Sequence, residues 1–214
     1  MPREPEADGP RAENLYILAP TWLEWCALRA VIRRQHAKWC GLRLERWHAA
    51  PSGSIVILCG LAGALRPGLS PGSIFIPDAV TTPDGPVRPC DPNLVEVLRR
   101  SCCRLGYTSH SGNLLTSPHI VTGSARERWS AQGYDAADME TGLLPSNELR
   151  VATVRVILDT PDYPLAEEWE QPLALLRRPR IAGELWWLAV NAPRFAARAA
   201  RVVKAAMPEL EAGP

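Results

Sequence analysis

Two apolar runs set the terms on which this chain can fold. Ile55-Val56-Ile57-Leu58-Cys59 is continuous, and residues 151–158 form a second run of the same kind. A strand without polar alternation is covered on both faces, as strands are in a parallel sheet between helical layers. Around these runs the pattern alternates. Residues 15–19 read as a first strand, ended by Pro20-Thr21, with Thr21 placed to cap a helix over 22–34. Residues 42–48 alternate like an edge strand, and 73–76 and 134–138 read as further strands. Helices are predicted over 93–105 and 124–132. The last third reads as helices over 173–176, 181–190 and 193–206, with Pro193 in the first turn of the last. Strands alternating with helices give an α/β fold: a mixed, largely parallel central sheet flanked by helices, with a helical C-terminal portion. A polar, flexible tail over 1–13 and a single domain over 14–214 complete the expected layout.

Composition narrows the function. Of 214 residues, 46% are apolar, ample for one sizeable core. Basic residues number 24 and acidic residues 23, a balance that supplies no general attraction to nucleic acid. The six cysteines form no C-x-x-C pair and several lie in apolar runs, so they read as reduced thiols. The histidines, His36, His48, His110 and His119, make no metal pattern. No run reaches the roughly 18 apolar residues of a membrane span, and residues 1–13 lack the apolar core of a signal peptide. The expectation is a cytoplasmic protein without stable membrane insertion, metal or cofactor.

Four constellations fall just after apolar runs, where open α/β sheets bind ligands. In Ala19-Pro20-Thr21-Trp22-Leu23-Glu24 a small turn opens a helix, and Glu24 lies one turn inside. Glu24 taken alone also reads as a surface carboxylate on the helix dipole. Gly60-Leu61-Ala62-Gly63 lets a backbone approach a ligand closely, or packs a helix tightly on a sheet. In Asp138-Met139-Glu140 the Glu can accept hydrogen bonds from vicinal hydroxyls while Met packs on a sugar face. In Arg155-Val156-Ile157-Leu158-Asp159 the Asp can protonate a ring nitrogen, or cap the turn that follows.

Taken in order, these four resemble the nucleoside phosphorylase and nucleosidase superfamily over about residues 15–159. The nucleosidase branch is the nearest, including methylthioadenosine/S-adenosylhomocysteine nucleosidase and futalosine hydrolase. The C-terminal third, with Arg177-Arg178-Pro179 before an apolar and an alanine-rich helix, resembles the hopanoid-associated branch that acts on adenosylhopane. The resemblance implies a nucleoside phosphorylase-like fold and roles for particular residues. Glu24 orients and deprotonates water, and Arg155 positions water or Glu24. Glu140 holds the ribose hydroxyls with Met139 against the sugar, and Asp159 protonates purine N7. Ile120 and Val121 hold the base, and Gly60, Leu61 and Ala62 form the floor. The implied reaction is hydrolysis of a 5′-substituted adenosine to release adenine, with a small-molecule nucleoside as partner and a homodimer as the assembly. Trp169, Leu185, Trp186, Trp187 and Leu188 offer a greasy wall for an apolar 5′ substituent, or an ordinary core or dimer face.

Three departures bear on this reading. Leu61 stands where many relatives carry Ser or Thr, which argues against phosphorolysis. Ser117-Pro118-His119 replaces the more usual acidic or glycine residues before the base wall, and Pro145 shortens the segment after Glu140. A phosphate-dependent phosphorylase and a nucleoside-binding protein of low turnover are the rival readings.

Overall fold

A long strand, β3 (Ile55–Ala64), is the spine of the molecule. The computed structural model describes residues 14–145, 148–165 and 181–213; the tail over 1–13, the helix expected over 173–176, Arg177-Arg178-Pro179 and Trp169 lie outside them. The N-terminal half of β3 pairs in parallel with β1 (Leu15–Ala19), which carries β2 (Ala37–Trp39) on its other edge. The remaining strands in chain order are β4 (Ile74–Phe75), β5 (Ala79–Thr81), β6 (Arg88–Pro89), β7 (Ser109–His110), β8 (Asn113–Thr116), β9 (Ala136–Asp138) and β10 (Arg150–Asp159). They form one ten-stranded sheet, ordered β6-β5-β8-β9-β3-β10-β4-β7, with β1 and β2 branching from β3. The β3–β10, β1–β3, β5–β8 and β8–β9 pairs are parallel, whereas β3–β9, β10–β4 and β5–β6 are antiparallel. The expected mixed, largely parallel sheet is therefore present.

Strand periodicity explains why the two apolar runs carry no polar alternation. Successive side chains point to opposite faces. Ile55, Ile57 and Cys59 join Ala152, Val154 and Val156 under the helical layer. Val56 and Leu58 join Val151, Leu18 and Leu144 on the other side. Both faces are buried, and each fully buried aliphatic side chain contributes about 1.5–3 kcal/mol relative to exposure. The helical layer consists of α1 (Trp22–Arg29), α2 (Pro92–Arg104) and the C-terminal helix α4 (Ile181–Ala212); α3 (Gly123–Ala131) follows β8. Helix α4 packs on α1, α2, β3 and β10. Its fully buried Ala199, Ala200 and Ala206 bring its backbone close to the sheet.

Several boundaries differ from the sequence expectation. Helix α1 ends at Arg29, before residue 34. Residues 42–48 are not an edge strand; Leu42–Leu44 is a 3-10 turn, and β2 lies earlier, at Ala37–Trp39. Gly60-Leu61-Ala62-Gly63 is strand, not loop, because it keeps its ladder to β10. Pro193 does not open a helix. It lies inside continuous α4, where it lacks the N–H that would bond Ala189 four residues back. Burial of Phe195, Ala196 and Ala199 on the next turns holds the helix together across that missing bond. Among the described residues no helix is long and apolar enough to cross a membrane.

Asp91 joins helix, sheet and loop. It caps α2 through the amides of Asn93 (3.0 Å) and Leu94 (3.1 Å), and it accepts from Arg150 Nε at 2.8 Å. Burial pushes its carboxyl up, but the bonds from Arg150, Leu94 and Asn93 win and hold its pKa below the ordinary value. A depressed carboxylate stabilises above its unfolded pKa and loses that contribution as pH falls through the folded one. Asp91→Ala is expected to lower stability by about 1–2 kcal/mol at neutral pH. In urea unfolding, the gap from wild type should narrow as pH drops below about 4.

Candidate active site

The site is built where β1, β3, β9 and β10 end. Thr21 caps α1, and its Oγ1 accepts from the Glu24 amide at 3.3 Å. In return Glu24 Oε2 accepts from the Thr21 amide (2.8 Å) and hydroxyl (2.7 Å), completing a capping box. The other oxygen, Oε1, accepts from the Leu61 amide of β3 at 2.7 Å. One carboxylate thus closes the helix, ties it to the central strand and is almost fully buried. A Cβ at position 60 would lie 2.8 Å from Glu24 Cδ and 2.9 Å from Arg155 Nη1, so only glycine fits between them.

Arg155 is fully buried beneath this floor. Its Nη2 donates to Asp138 Oδ2 and to Thr141 Oγ1 (2.9 Å), and lies 3.6 Å from Glu140 Oε2. Its Nη1 donates to the Leu61 carbonyl at 3.4 Å. Burial works against the charge, but Asp138, Glu140 and Glu24 outweigh it and hold the Arg155 pKa above its ordinary value. Asp138 is saturated: besides Arg155 it accepts from Thr116 Oγ1 at 2.5 Å, from the Thr141 amide at 3.1 Å and from the Thr141 hydroxyl.

Glu140 is held differently. It accepts from the amide of Arg43, in a loop where Arg43 and Leu44 take left-handed φ of 53° and 60°. Burial, opposed by Arg155 and helped by Asp138 and Glu24, pushes its carboxyl up to about 7. The segment after it is a single 3-10 turn, Thr141–Leu143, so the helix that would follow is indeed truncated before Pro145.

Asp159 ends β10 next to an irregularity. The β3–β10 register shifts between Ile157 and Asp159, so Asp159, rather than Leu158, stands opposite Gly63. A Cβ on Gly63 would lie 2.7 Å from Asp159 Oδ1. Asp159 accepts from Arg126 Nη2 and from the Leu165 amide. Burial raises its pKa, and Arg126 opposes that rise.

These side chains surround a cavity of about 280 Å³. Glu24, Met139, Glu140, Asp159, Ile120, Val121, Leu61 and Ala62, all expected from the sequence, line it. Gly60 and Arg155 do not. Gly60 is the spacer behind Glu24, and Arg155 lies under the floor with its charge spent on Asp138 and Glu140. Among the described residues, Leu185, Trp186, Trp187 and Leu188 of the expected wall are not in the lining either. Trp187 packs on Phe195 with ring centroids 6.1 Å apart, and Leu185 and Trp186 are exposed on α4. The apolar lining comes instead from Pro20, Leu42, Leu65, Leu158 and Leu165.

Two partners escaped the sequence reading. Asp138 stood inside the quoted motif without a role, and its burial beside an arginine was the missing signal. Arg126 is the one buried residue of α3 and carries no motif at all. Among the described residues no group of three or more His, Cys, Asp or Glu could hold a metal ion.

Residues 52–206 match the phosphorylase superfamily. The chain belongs to this superfamily. Among curated proteins none matches it. Futalosine hydrolase of Helicobacter pylori shares the fold at a TM-score of 0.67 with 10% identity, covering 92% of this chain and 98% of that one. The 5′-methylthioadenosine/S-adenosylhomocysteine nucleosidase of Neisseria meningitidis, solved with methylthio-immucillin-A, gives 0.66 with 15% identity, covering 92% and 99%. The Campylobacter jejuni nucleosidase of the same name gives 0.66 with 13% identity, again covering 92% and 99%. The superfamily and its fold are as expected from the four constellations.

The raised Glu140 has a measurable consequence for this phosphorylase-superfamily chain. A carboxyl whose pKa rises on folding stabilises below its unfolded value, and that contribution is lost as pH climbs through the folded value. Glu140→Gln is therefore expected to be more stable than wild type by about 1–3 kcal/mol near pH 8. The two should converge toward about pH 4, read by urea unfolding across the range. Parallel curves at all pH values would contradict the assignment.

Proposed function

We propose that the chain is a purine nucleosidase that hydrolyses the N-glycosidic bond of a 5′-substituted adenosine and releases adenine. The observation that carries this reading is the pair Glu24 and Asp159 on one cavity, set by positions 60 and 63 of the same strand. Both carboxylates line the cavity that would take a sugar with its base. Glu140 and Met139 on the same lining suit the ribose, Ile120 and Val121 the base.

The two carboxylates take opposite tasks. Glu24 accepts a proton from water, whose oxygen bonds to C1′ as the C1′–N9 bond breaks. The electron pair of that bond leaves with the purine, and Asp159 gives its proton to N7 so that adenine departs neutral. Burial of Asp159 favours the protonated form this step needs. Arg155 acts from below, offsetting the charge of Glu140 and Asp138 and pressing through Gly60 on the position of Glu24.

Hydrolysis is favoured over phosphorolysis by the lining. Among its described residues none is Arg or Lys, the groups that would hold a phosphate, and Leu61 offers no hydroxyl. Pro20, Leu42, Leu158 and Leu165 support an apolar 5′ substituent of the adenosylhopane type. The solved nucleosidases named above, one of them bound to methylthio-immucillin-A, support the same class of substrate. A cytoplasmic homodimer belongs to the proposal, and the exposed apolar residues Trp22, Leu42 and Leu143 support a partner surface.

Base release is to be followed from adenosine, methylthioadenosine, S-adenosylhomocysteine, futalosine, inosine and adenosylhopane, with and without inorganic phosphate. The expected result is base release without phosphate, strongest for an apolar 5′ group. Glu24→Gln and Asp159→Asn should each lower kcat by about 100-fold or more. Turnover that stops without phosphate would favour the phosphorylase, and unchanged turnover in Glu24→Gln would remove that residue from the chemistry.

A further inference from the structure

Arg126 is a buried cation for which the proposed reaction has so far no use. It is 3% exposed, and its ion-pair partner Asp159 is 5% exposed. Its Nη2 donates both to Asp159 Oδ2 and to the Val121 carbonyl, the latter at 3.0 Å, and its Nε donates to the same carbonyl at 3.3 Å. The remaining nitrogen, Nη1, is buried without a hydrogen-bond partner. Val121 and Asp159 both line the reaction cavity, whereas Arg126 itself lines a neighbouring one of about 560 Å³. Helix α3 therefore reaches the site from outside and fastens two of its elements together: the loop after β8 and the end of β10.

We propose that Arg126 is the positioning residue of the base-protonating acid, a clamp that holds the Asp159 carboxylate and the Val121 peptide in fixed relation around the edge of the bound purine. The inference rests on the nucleosidase reading of the cavity. It explains why a full positive charge is buried where one uncharged donor would satisfy a carbonyl. Only a forked guanidinium reaches two acceptors in fixed directions.

The clamp has a second effect, on the proton itself. A cation against Asp159 favours the carboxylate, while burial favours the acid. The other charged or titratable side chains on the cavity are Glu24 from α1, Asp138 and Glu140 around the end of β9, and His119 from the loop after β8. Arg155 lies under the floor on β10 itself. Among these, Arg126 alone makes an ion pair with Asp159. Where the empty site holds Asp159 ionised, base binding takes up one proton from solvent. Asp159 receives it and shares it with N7.

Adenine binding to the full chain, followed by calorimetry from about pH 5 to about pH 9, separates these roles from a merely structural one. In the wild type, affinity should fall above a break point where Asp159 loses its proton. In Arg126→Met the break should move up by about one pH unit or more, because the opposing charge is gone. Affinity below the break should drop, because the acid is no longer aimed. Arg126→Lys keeps the charge but not the fork, so its break should stay in place while affinity falls about threefold or more at every pH. A folded Arg126→Met with an unmoved break overturns the inference. If Arg126→Met does not fold, Arg126→Lys decides: wild-type affinity there overturns the clamp. A wild type that binds no adenine overturns both the site and the clamp. Adenine binding without any nucleoside turnover overturns the hydrolase reading alone.

Discussion

The interior of this protein is organised around the charge of Arg155. A guanidinium with no exposure survives only if acids surround it, and three do: Asp138, Glu140 and Glu24. Asp138 and Glu140 come from the end of β9 and Glu24 from α1, so the ion cluster ties together β10, the end of β9 and the start of α1. The dependence is mutual. Asp138 pairs with the cation directly and Glu140 lies 3.6 Å from it, so each side of the cluster offsets part of the other's burial. The threonines complete the arrangement. Thr116 fills Asp138 Oδ1 and Thr141 shares Oδ2 with Arg155, whereas burial pushes the Glu140 carboxyl up.

That difference between neighbouring acids is what makes a site out of a structural cluster. Asp138 is spent on the fold. Glu140, at nearly the same depth, sits at the edge of the cluster and faces the cavity. Glu24 is shared: its carboxylate completes the start of a helix and still lines the cavity. Asp159 stands apart, with its own arginine, so the two ends of the cavity carry two separate ion pairs. Separate pairs permit separate proton affinities, as acid and base tasks in one site require.

Much of this was legible in the chain. Strand runs bounded by small residues gave away the sheet, and Glu24, Glu140 and Asp159 stood out as carboxylates in apolar or small surroundings. What was not legible has physical reasons. Gly60 and Gly63 looked like loop residues because composition reports flexibility, whereas here they mark places where carboxylates crowd a strand. Trp186 and Trp187 read equally as a wall, a core or a dimer face, because a helix has several faces and only tertiary packing decides that Trp187 meets the core and Trp186 solvent. Arg126 left no trace, because an arginine on a short polar helix reads as surface until its partner across the fold is known. Pro193 looked like a helix start because the burial that carries α4 through it is contributed by strands far away in sequence.

The register shift in β10 gives the end of that strand a significance of counting. Leu158 and Asp159 compete for the place opposite Gly63, and the extra residue at the irregularity decides in favour of the acid. The chemistry at this end of the cavity is therefore encoded in the number of residues as much as in their kinds. A strand of the same sequence in unbroken register would set Leu158 opposite Gly63 and carry the acid one place beyond the glycine that makes room for it. Such a site depends on the residue count of its central strands as closely as on the side chains around its rim.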